Sequence, residues 1–342
     1  MTTYLSYPEL QTLVSGVLES GGLAAAHAAA VARVIVRAEG DACRSHGIYR
    51  IPGVLRTLQG GVAAADAVPQ IDNVADKAIV KIHAGGGFSP LAFEQGVPLL
   101  AAKAKRFGIA AMAINDCVHY SALWPEVEQL AEHGVAALAM CPSNAYVAPA
   151  GGIAKLLGTN PFAFAWPCTG GNPYVFDFAT SVAARGEVEL HRLDGKTLPD
   201  GWGIDRDGKP SNDPAAVLDG GALLTFGGYK GSAIATMIEI LAAVLIGDLL
   251  SVESSEIDGG RLLAPRHGEL LIAIDPAAFA ANDLEAHTRK LLDAFSAQGA
   301  RLPSQRRYAA RAISQRDGIA ISDENLARLQ AMRDGDFSVE LH

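Results

Sequence analysis

The sequence predicts a mixed α/β fold with helical ends. Two patterns carry that reading: runs of helical period at both ends of the chain, and short apolar runs of strand length alternating with helical spacing in the middle. The composition agrees, since 49% of the 342 residues are hydrophobic and 19% are charged, enough to bury a substantial core. At roughly 100–200 residues per domain, the length holds about two domains.

Ser6-Tyr7-Pro8-Glu9 fits a capping box with Pro in the first turn, and an apolar-periodic run follows to Leu18 and stops at Gly21-Gly22. Residues 24–38 are rich in Ala and Val and carry no breaker. A third short helix is expected after Gly47, through residues 54–58, ending at Gly60-Gly61. Residues 78–82, 109–114 and 136–141 have strand length. Between them, residues 98–105 and 122–132 have helical spacing, with Pro98 placed in a first turn where its missing N–H costs nothing. Residues 162–166, 174–178 and 187–190 are further strand candidates. Residues 194–220 are dense in Gly, Pro and Asp and read as a long surface loop. A helix over 232–246, a strand over 270–274 and helices over 284–295 and 323–333 complete the chain. Packing the two helical ends together, with the middle inserted, is an economical arrangement.

Acidic residues number 37 and basic residues 28, a net charge of −9, and no long basic block appears. A polyanion binder needs clustered Lys and Arg, so nucleic acid is not an expected partner. The four cysteines, Cys43, Cys117, Cys141 and Cys168, form no CxxC pair and suit reduced thiols. The first residues, MTTYLSYPELQ, lack the basic and apolar regions of a signal peptide, so a cytoplasmic location is expected. The apolar run over 232–250 is interrupted by Glu239 and Asp248, which favours a buried helix over a membrane span.

GxGxxG, GxxxxGK[ST] and HExxH are all missing, and Gly85-Gly86-Gly87 has the spacing of neither phosphate loop. The nine histidines are scattered, and no metal site is expected.

Arg44-Ser45-His46-Gly47-Ile48-Tyr49-Arg50 packs a hydroxyl, an imidazole and two guanidiniums into seven residues. If the segment enters a helix, His46 and Arg50 share a face. Arg50 then suits a substrate carboxylate and His46 a proton transfer. The segment also reads as a Ser N-cap with a surface His and Arg. Asp116 to Leu123 lies where a strand hands over to a helix, a place that favours an anion such as pyrophosphate, although Ser121 equally reads as an N-cap. Gly158-Thr159-Asn160-Pro161, Asp177-Phe178-Ala179-Thr180-Ser181 and Gly227-Gly228-Tyr229-Lys230-Gly231 read as turns next to strands or a helix. Arg301-Leu302-Pro303-Ser304-Gln305-Arg306-Arg307 is a basic cluster that reads either as a solvated surface run or as a phosphomonoester site.

Taken together and in this order, these segments resemble the type 2 malate/L-lactate dehydrogenase family, whose nicotinamide-binding fold is not the Rossmann one. Gly201-Trp202 with Asp205, and Phe226 before Gly227, add to the resemblance, which covers nearly the whole chain. Within the family the chain is most similar to the Δ1-piperideine-2-carboxylate/Δ1-pyrroline-2-carboxylate reductases. Two departures from the keto-acid pattern support that branch: Arg185-Gly186-Glu187 in place of Arg-Gly-Lys, and Pro303-Ser304-Gln305-Arg306 in place of Pro-Gly-Glu-Arg. A Glu beside the adenosine ribose repels a 2′-phosphate, and Gln305 removes that repulsion. Tyr229, where a His is common, has no consequence that physical argument reaches.

The resemblance implies a homodimer and NADPH as cofactor. It implies a non-Rossmann nicotinamide-binding α/β domain over residues 116–284, inserted in a helical substrate and dimerisation domain formed by residues 1–115 with 285–342. It implies that His46 protonates the imine nitrogen, with Ser45 and Glu187 orienting and charge-balancing it, and that Arg50 and Thr159 hold the substrate carboxylate. It implies a cofactor site lined by His119, Tyr120, Ser121, Ala122 and Leu123, by Asp177, Phe178 and Ala179, by Lys230, and by Arg301, Leu302, Pro303, Ser304, Gln305, Arg306 and Arg307. The competing activity is that of an NAD(P)-dependent 2-keto acid/2-hydroxy acid dehydrogenase of malate, lactate or ureidoglycolate type.

Overall fold

The structure, a computed structural model, describes residues 1–119, 122–280, 283–339 and 341. The chain opens with β1 (Thr2–Leu5), α1 (Tyr7–Ser20), α2 (Ala25–Gly40) and α3 (Ile51–Gln59). Next come β2 (Gln70–Asp72), β3 (Ile79–His83), α4 (Ser89–Phe107), β4 (Ile109–Val118), α5 (Trp124–Glu132), β5 (Ala136–Met140), β6 (Phe162–Trp166) and β7 (Tyr174–Phe178). They are followed by α6 (Arg185–Leu193), β8 (Gly203–Ile204), β9 (Pro210–Ser211), α7 (Pro214–Leu218), β10 (Ala222–Leu223), α8 (Tyr229–Glu239), α9 (Ser251–Asp258) and β11 (Arg266–Ile274). The last elements are α10 (Pro276–Phe279), α11 (Leu284–Ala297), α12 (Gln305–Asp317), β12 (Ile319–Ser322) and α13 (Asp323–Arg333).

The two chain ends do pack together. The capping box forms at Ser6 and Glu9 and starts α1 where expected. β1 pairs antiparallel with β12, and α13 packs on α1. Leu10, Val14 and Leu18 of α1, Ile35 of α2, Ile51 of α3 and Leu329 of α13 share one apolar core.

The middle builds a seven-stranded sheet in the order β2-β3-β4-β11-β5-β6-β7. Only β3 and β4 run parallel; every other neighbour is antiparallel. β11 arrives from far downstream and sits at the centre, between β4 and β5. α4 and α5 cover this sheet, with Leu100, Met112, Leu130 and Leu271 in its core. Residue 115, the domain boundary implied by the resemblance, falls inside β4, so the sheet takes strands from both sides of it.

Several sequence expectations are corrected. Pro98 lies inside α4 rather than in its first turn. An interior Pro costs about 3 kcal/mol, and the buried face of Ala92, Phe93, Val97, Leu100, Ala101 and Ala104 outweighs it. Residues 187–190 belong to a helix, α6, in which only Val188 is buried. Residues 194–220 are not a bare loop. β8, β9 and β10 form a small sheet, and Leu198, Val217 and Leu223 give it a core. The helix expected over 232–246 starts at Tyr229 and ends in a π-helical stretch, Ile240–Val244. Segment 44–50 forms two 3₁₀ turns, Arg44–His46 and Ile48–Arg50, in place of a continuous helical turn. The break is at Gly47, where a Cβ would meet Glu39 Oε2 at 1.9 Å. Among the described residues, no helix is long and apolar enough to cross a membrane.

Candidate active site

The first 3₁₀ turn places Ser45 Oγ 3.0 Å from His46 Nδ1. Glu39 fixes the turn by accepting the Ile48 N–H at 3.0 Å. The His46 ring stands edge-on to Trp124, with centroids 5.7 Å apart. Trp124 is held from three sides. Its backbone N–H and that of Leu123 donate to Asp177 Oδ2 at 3.0 and 2.9 Å, so the end of β7 caps the start of α5. Its indole N–H donates to Asp41 at 3.2 Å. The Arg307 guanidinium lies 4.7 Å from its ring centroid.

Behind this wall is a buried ion network. Arg311 of α12 donates to Asp41, at the C-terminal cap of α2, at 2.7 Å and to Glu128 of α5 at 2.8 Å, and Glu128 also accepts from Arg37 of α2 at 2.7 Å. Three helices that are distant in sequence are thereby locked around Trp124.

Burial, and then the positive charge of Arg50, push the His46 pKa down to about 3. The imidazole is therefore neutral at pH 7. Burial raises Asp177 to about 6, against the opposing pull of the Trp124 amide, Arg307 and the Leu123 amide.

Thr159 sits on a pinned turn. Its carbonyl accepts from the Thr180 N–H at 2.8 Å. The next residue, Asn160, is buried and left-handed, and donates to Glu239 at 2.9 Å. The Gly158 N–H donates to Ser251 Oγ at 3.0 Å.

The other expected site residues divide. His119 is buried and follows β4; its N–H donates to the Pro265 carbonyl at 3.1 Å, and α5 begins five residues later, so His119 does not open the helix. Tyr120 and Ser121 lie outside the described residues. Ala122 and Leu123 are buried next to the Asp177 cap. Phe178 is 40% exposed and stacks on Phe176, and Ala179 follows it half-buried. Ser304 bonds the Val175 carbonyl and so ties the start of α12 to β7, with Leu302 and Pro303 half-buried before it. Arg301, Gln305 and Arg306 are exposed, and Arg307 alone reaches the Trp124 wall. Glu187 is exposed on the first turn of α6, and among the described residues the hydrogen bond of the His46 ring is to Ser45, not to Glu187.

Sequence reasoning missed Trp124, Asp41 and Arg311. It also missed Glu126, His267 and Glu269, which are buried around His119. Glu126 and Glu128 in WPEVEQL, and Glu269 in HGELLIAI, stand among apolar residues and were the available signal.

Residues 5–330 match the family described as malate/L-lactate dehydrogenase. The chain belongs to that family. It is 53% identical to a Δ1-pyrroline-2-carboxylate reductase of Agrobacterium fabrum over 334 residues, 97% of this chain and 96% of the relative. A Δ1-pyrroline-2-carboxylate/Δ1-piperideine-2-carboxylate reductase of Pseudomonas aeruginosa is 50% identical over 93% of this chain and 96% of its own length. The crystal structure of Δ1-piperideine-2-carboxylate reductase from Pseudomonas syringae pv. tomato superposes with a TM-score of 0.93 at 42% identity, covering 96% of this chain and 99% of that one.

As a malate/L-lactate dehydrogenase family member the chain is an oxidoreductase, and the family implies a nicotinamide cofactor. The residues present fit such a group. Gly227 and Gly228, with φ of 56° and 61°, deliver the backbone to the start of α8, and Lys230 is exposed in its first turn. A Cβ at Gly231 would meet the Phe226 carbonyl at 2.3 Å, so the turn closes tightly only with glycine. The exposed Lys230 ammonium, at the positive end of the α8 dipole, suits a pyrophosphate.

Proposed function

We propose that this protein reduces cyclic 2-imino carboxylates with NADPH, taking Δ1-pyrroline-2-carboxylate to L-proline and Δ1-piperideine-2-carboxylate to L-pipecolate. The observation that carries the reading is the Ser45–His46 pair, whose imidazole is held neutral by burial and by the charge of Arg50, in a chain 53% identical to a pyrroline-2-carboxylate reductase.

Arg50 and Thr159 hold the substrate carboxylate, Arg50 through its planar fork. Burial is the larger cause of the low His46 pKa and the Arg50 charge the smaller; the substrate carboxylate neutralises the smaller one, which shifts the His46 pKa upward when substrate binds. Ser45 fixes the ring, and the protonated imidazole then gives its proton to the imine nitrogen. The bound nicotinamide supplies the hydride that reduces C2. Lys230 and the start of α8 hold the pyrophosphate. Gln305 and Arg306 accept a 2′-phosphate, since segment 301–307 contains no carboxylate.

The working unit in this reading is a cytoplasmic homodimer. Its support is an exposed apolar stripe along α8 and the π-helical stretch: Tyr229, Met237, Ile240 and Val244 are 72%, 37%, 52% and 62% exposed. The test is deuterium transfer. With Δ1-pyrroline-2-carboxylate and NADPH carrying deuterium at both C4 positions of the nicotinamide, the protein should yield L-proline with one deuterium at C2, read by chiral chromatography and mass spectrometry. Unlabelled or absent proline would refute the assignment.

A further inference from the structure

Five buried polar atoms gather around His119 with no hydrogen-bond partner among the described residues beyond one another: His119 Nε2, His267 Nε2, Glu126 Oε2 and both carboxyl oxygens of Glu269. One ligand-type atom each of His119, Glu126 and Glu269 lie within 4.8 Å of one another. Glu126 comes from α5 and is 3% exposed; Glu269 comes from β11 and is fully buried. Among the described residues the charges acting on Glu126 are those of Glu269 and, from β7, Asp177, and neither is a cation. β4 adds Cys117, the end of β5 adds Cys141 and β11 adds His267, all buried; Asp116 and Asp248 stand further out, acting on Cys117.

Two ionised carboxylates side by side in a dry interior are too costly to persist. A single proton resolves the arrangement, because one carboxyl then donates to the other. Burial and mutual repulsion both raise the affinity of Glu126 for that proton.

We propose that Glu126 and Glu269 share one proton and act as a proton store for the reduction, feeding it through His119. The proposal rests on the imine-reductase reading. Each turnover consumes one proton at the imine nitrogen, yet His46 is neutral at pH 7. His119 shares the Glu126–Glu269 cluster, and its ring is 5.7 Å from that of His267; burial, and then the neighbouring His267, Arg50 and His46, hold its pKa well below the usual imidazole range, so it carries the proton only in transit. When the shared proton moves to His119 Nε2, an imidazolium stands beside two carboxylates and the charge of the triad stays at −1. Onward transfer to the substrate nitrogen, directly or through His46, completes the step, and a proton from water refills the pair. Glu126 and Glu269 are positioning residues, since they act through His119.

The first test needs no substrate. Infrared difference spectra of the wild-type protein at pH 7–8 should show a protonated-carboxyl C=O stretch that shifts in D2O and is lost in Glu126→Gln/Glu269→Gln. Two amides can still bond each other, so the double variant should keep its fold by circular dichroism. Its kcat should fall on the order of 10²-fold, with KM unchanged and the alkaline limb of the wild-type kcat profile abolished. No carboxyl band in the wild type, an unchanged pH profile in the variant, or one tightly bound divalent metal per chain by elemental analysis would each overturn the proposal. If the variant fails to fold, the wild-type band and the metal content still decide. A band in a protein that reduces no cyclic imine would sink the functional reading and leave the shared proton standing.

Discussion

His46 is the residue on which the chemistry turns. Replacing it with Ala should lower kcat by about 10²–10⁴, the usual worth of a positioned acid, while cofactor binding followed by fluorescence stays unchanged. A near-normal kcat would make His46 a packing residue for Trp124. Cofactor choice is set at the same scale. One charge-assisted contact to a 2′-phosphate is worth roughly 1.5–3 kcal/mol, so NADPH should be preferred over NADH by on the order of 10–100-fold. Gln305 Oε1 accepts the Leu302 N–H at 3.0 Å, a bond that a Glu side chain can also accept. Gln305→Glu should therefore fold normally and still erode the preference, as read from kcat/KM with both cofactors. The motif Ser45-His46 with Arg50 was legible in the sequence because three chemistry-bearing side chains crowd seven positions. Trp124 and Arg311 were not, because their partners Asp41 and Glu128 lie 83 and 183 residues away.

Helices α2, α5 and α12 form one mechanical unit around the Asp41–Arg311–Glu128 network. Asp41 is fully buried and Glu128 nearly so. Removing one partner of such a network strands buried charge, so Arg311→Ala should cost about 3–5 kcal/mol, measured by urea unfolding. A loss below about 1 kcal/mol would mean that α12 is held by packing alone. β11 carries a second element-scale effect. Burial drives the His267 pKa down to about 4, whereas in the unfolded chain it is about 6.5. Between those values the unfolded state binds more protons, so His267 destabilises the fold as pH falls from about 6.5 to 4. His267→Gln should flatten the stability-against-pH curve over that window; identical curves would contradict the assignment. Element boundaries were legible where capping or alternation marks them, as at α1, β6, β7 and α13. They were not legible in α6, where a charged helix with one buried residue imitates a short strand, nor in β8 to β10, whose two-residue strands are too short to show a period.

At the scale of the whole molecule, the helical ends and the α/β middle were readable from periodicity, and their packing follows from burying the apolar faces of α1 and α13 together. The sheet order was not readable. β11 enters between β4 and β5 after more than a hundred residues, and pairings of that separation leave no local trace. That insertion has a functional consequence, because it carries His267 and Glu269 to the back of the site that Ser45, His46 and Trp124 face from the helical side. The most direct measurement is kcat/KM with NADPH for Δ1-pyrroline-2-carboxylate and Δ1-piperideine-2-carboxylate, set against pyruvate and oxaloacetate under the same conditions. The protein should prefer the cyclic imines by on the order of a hundredfold or more, about 2.7 kcal/mol in transition-state stabilisation. Equal or greater efficiency with the keto acids would contradict it and make the protein a 2-keto acid reductase of the same family.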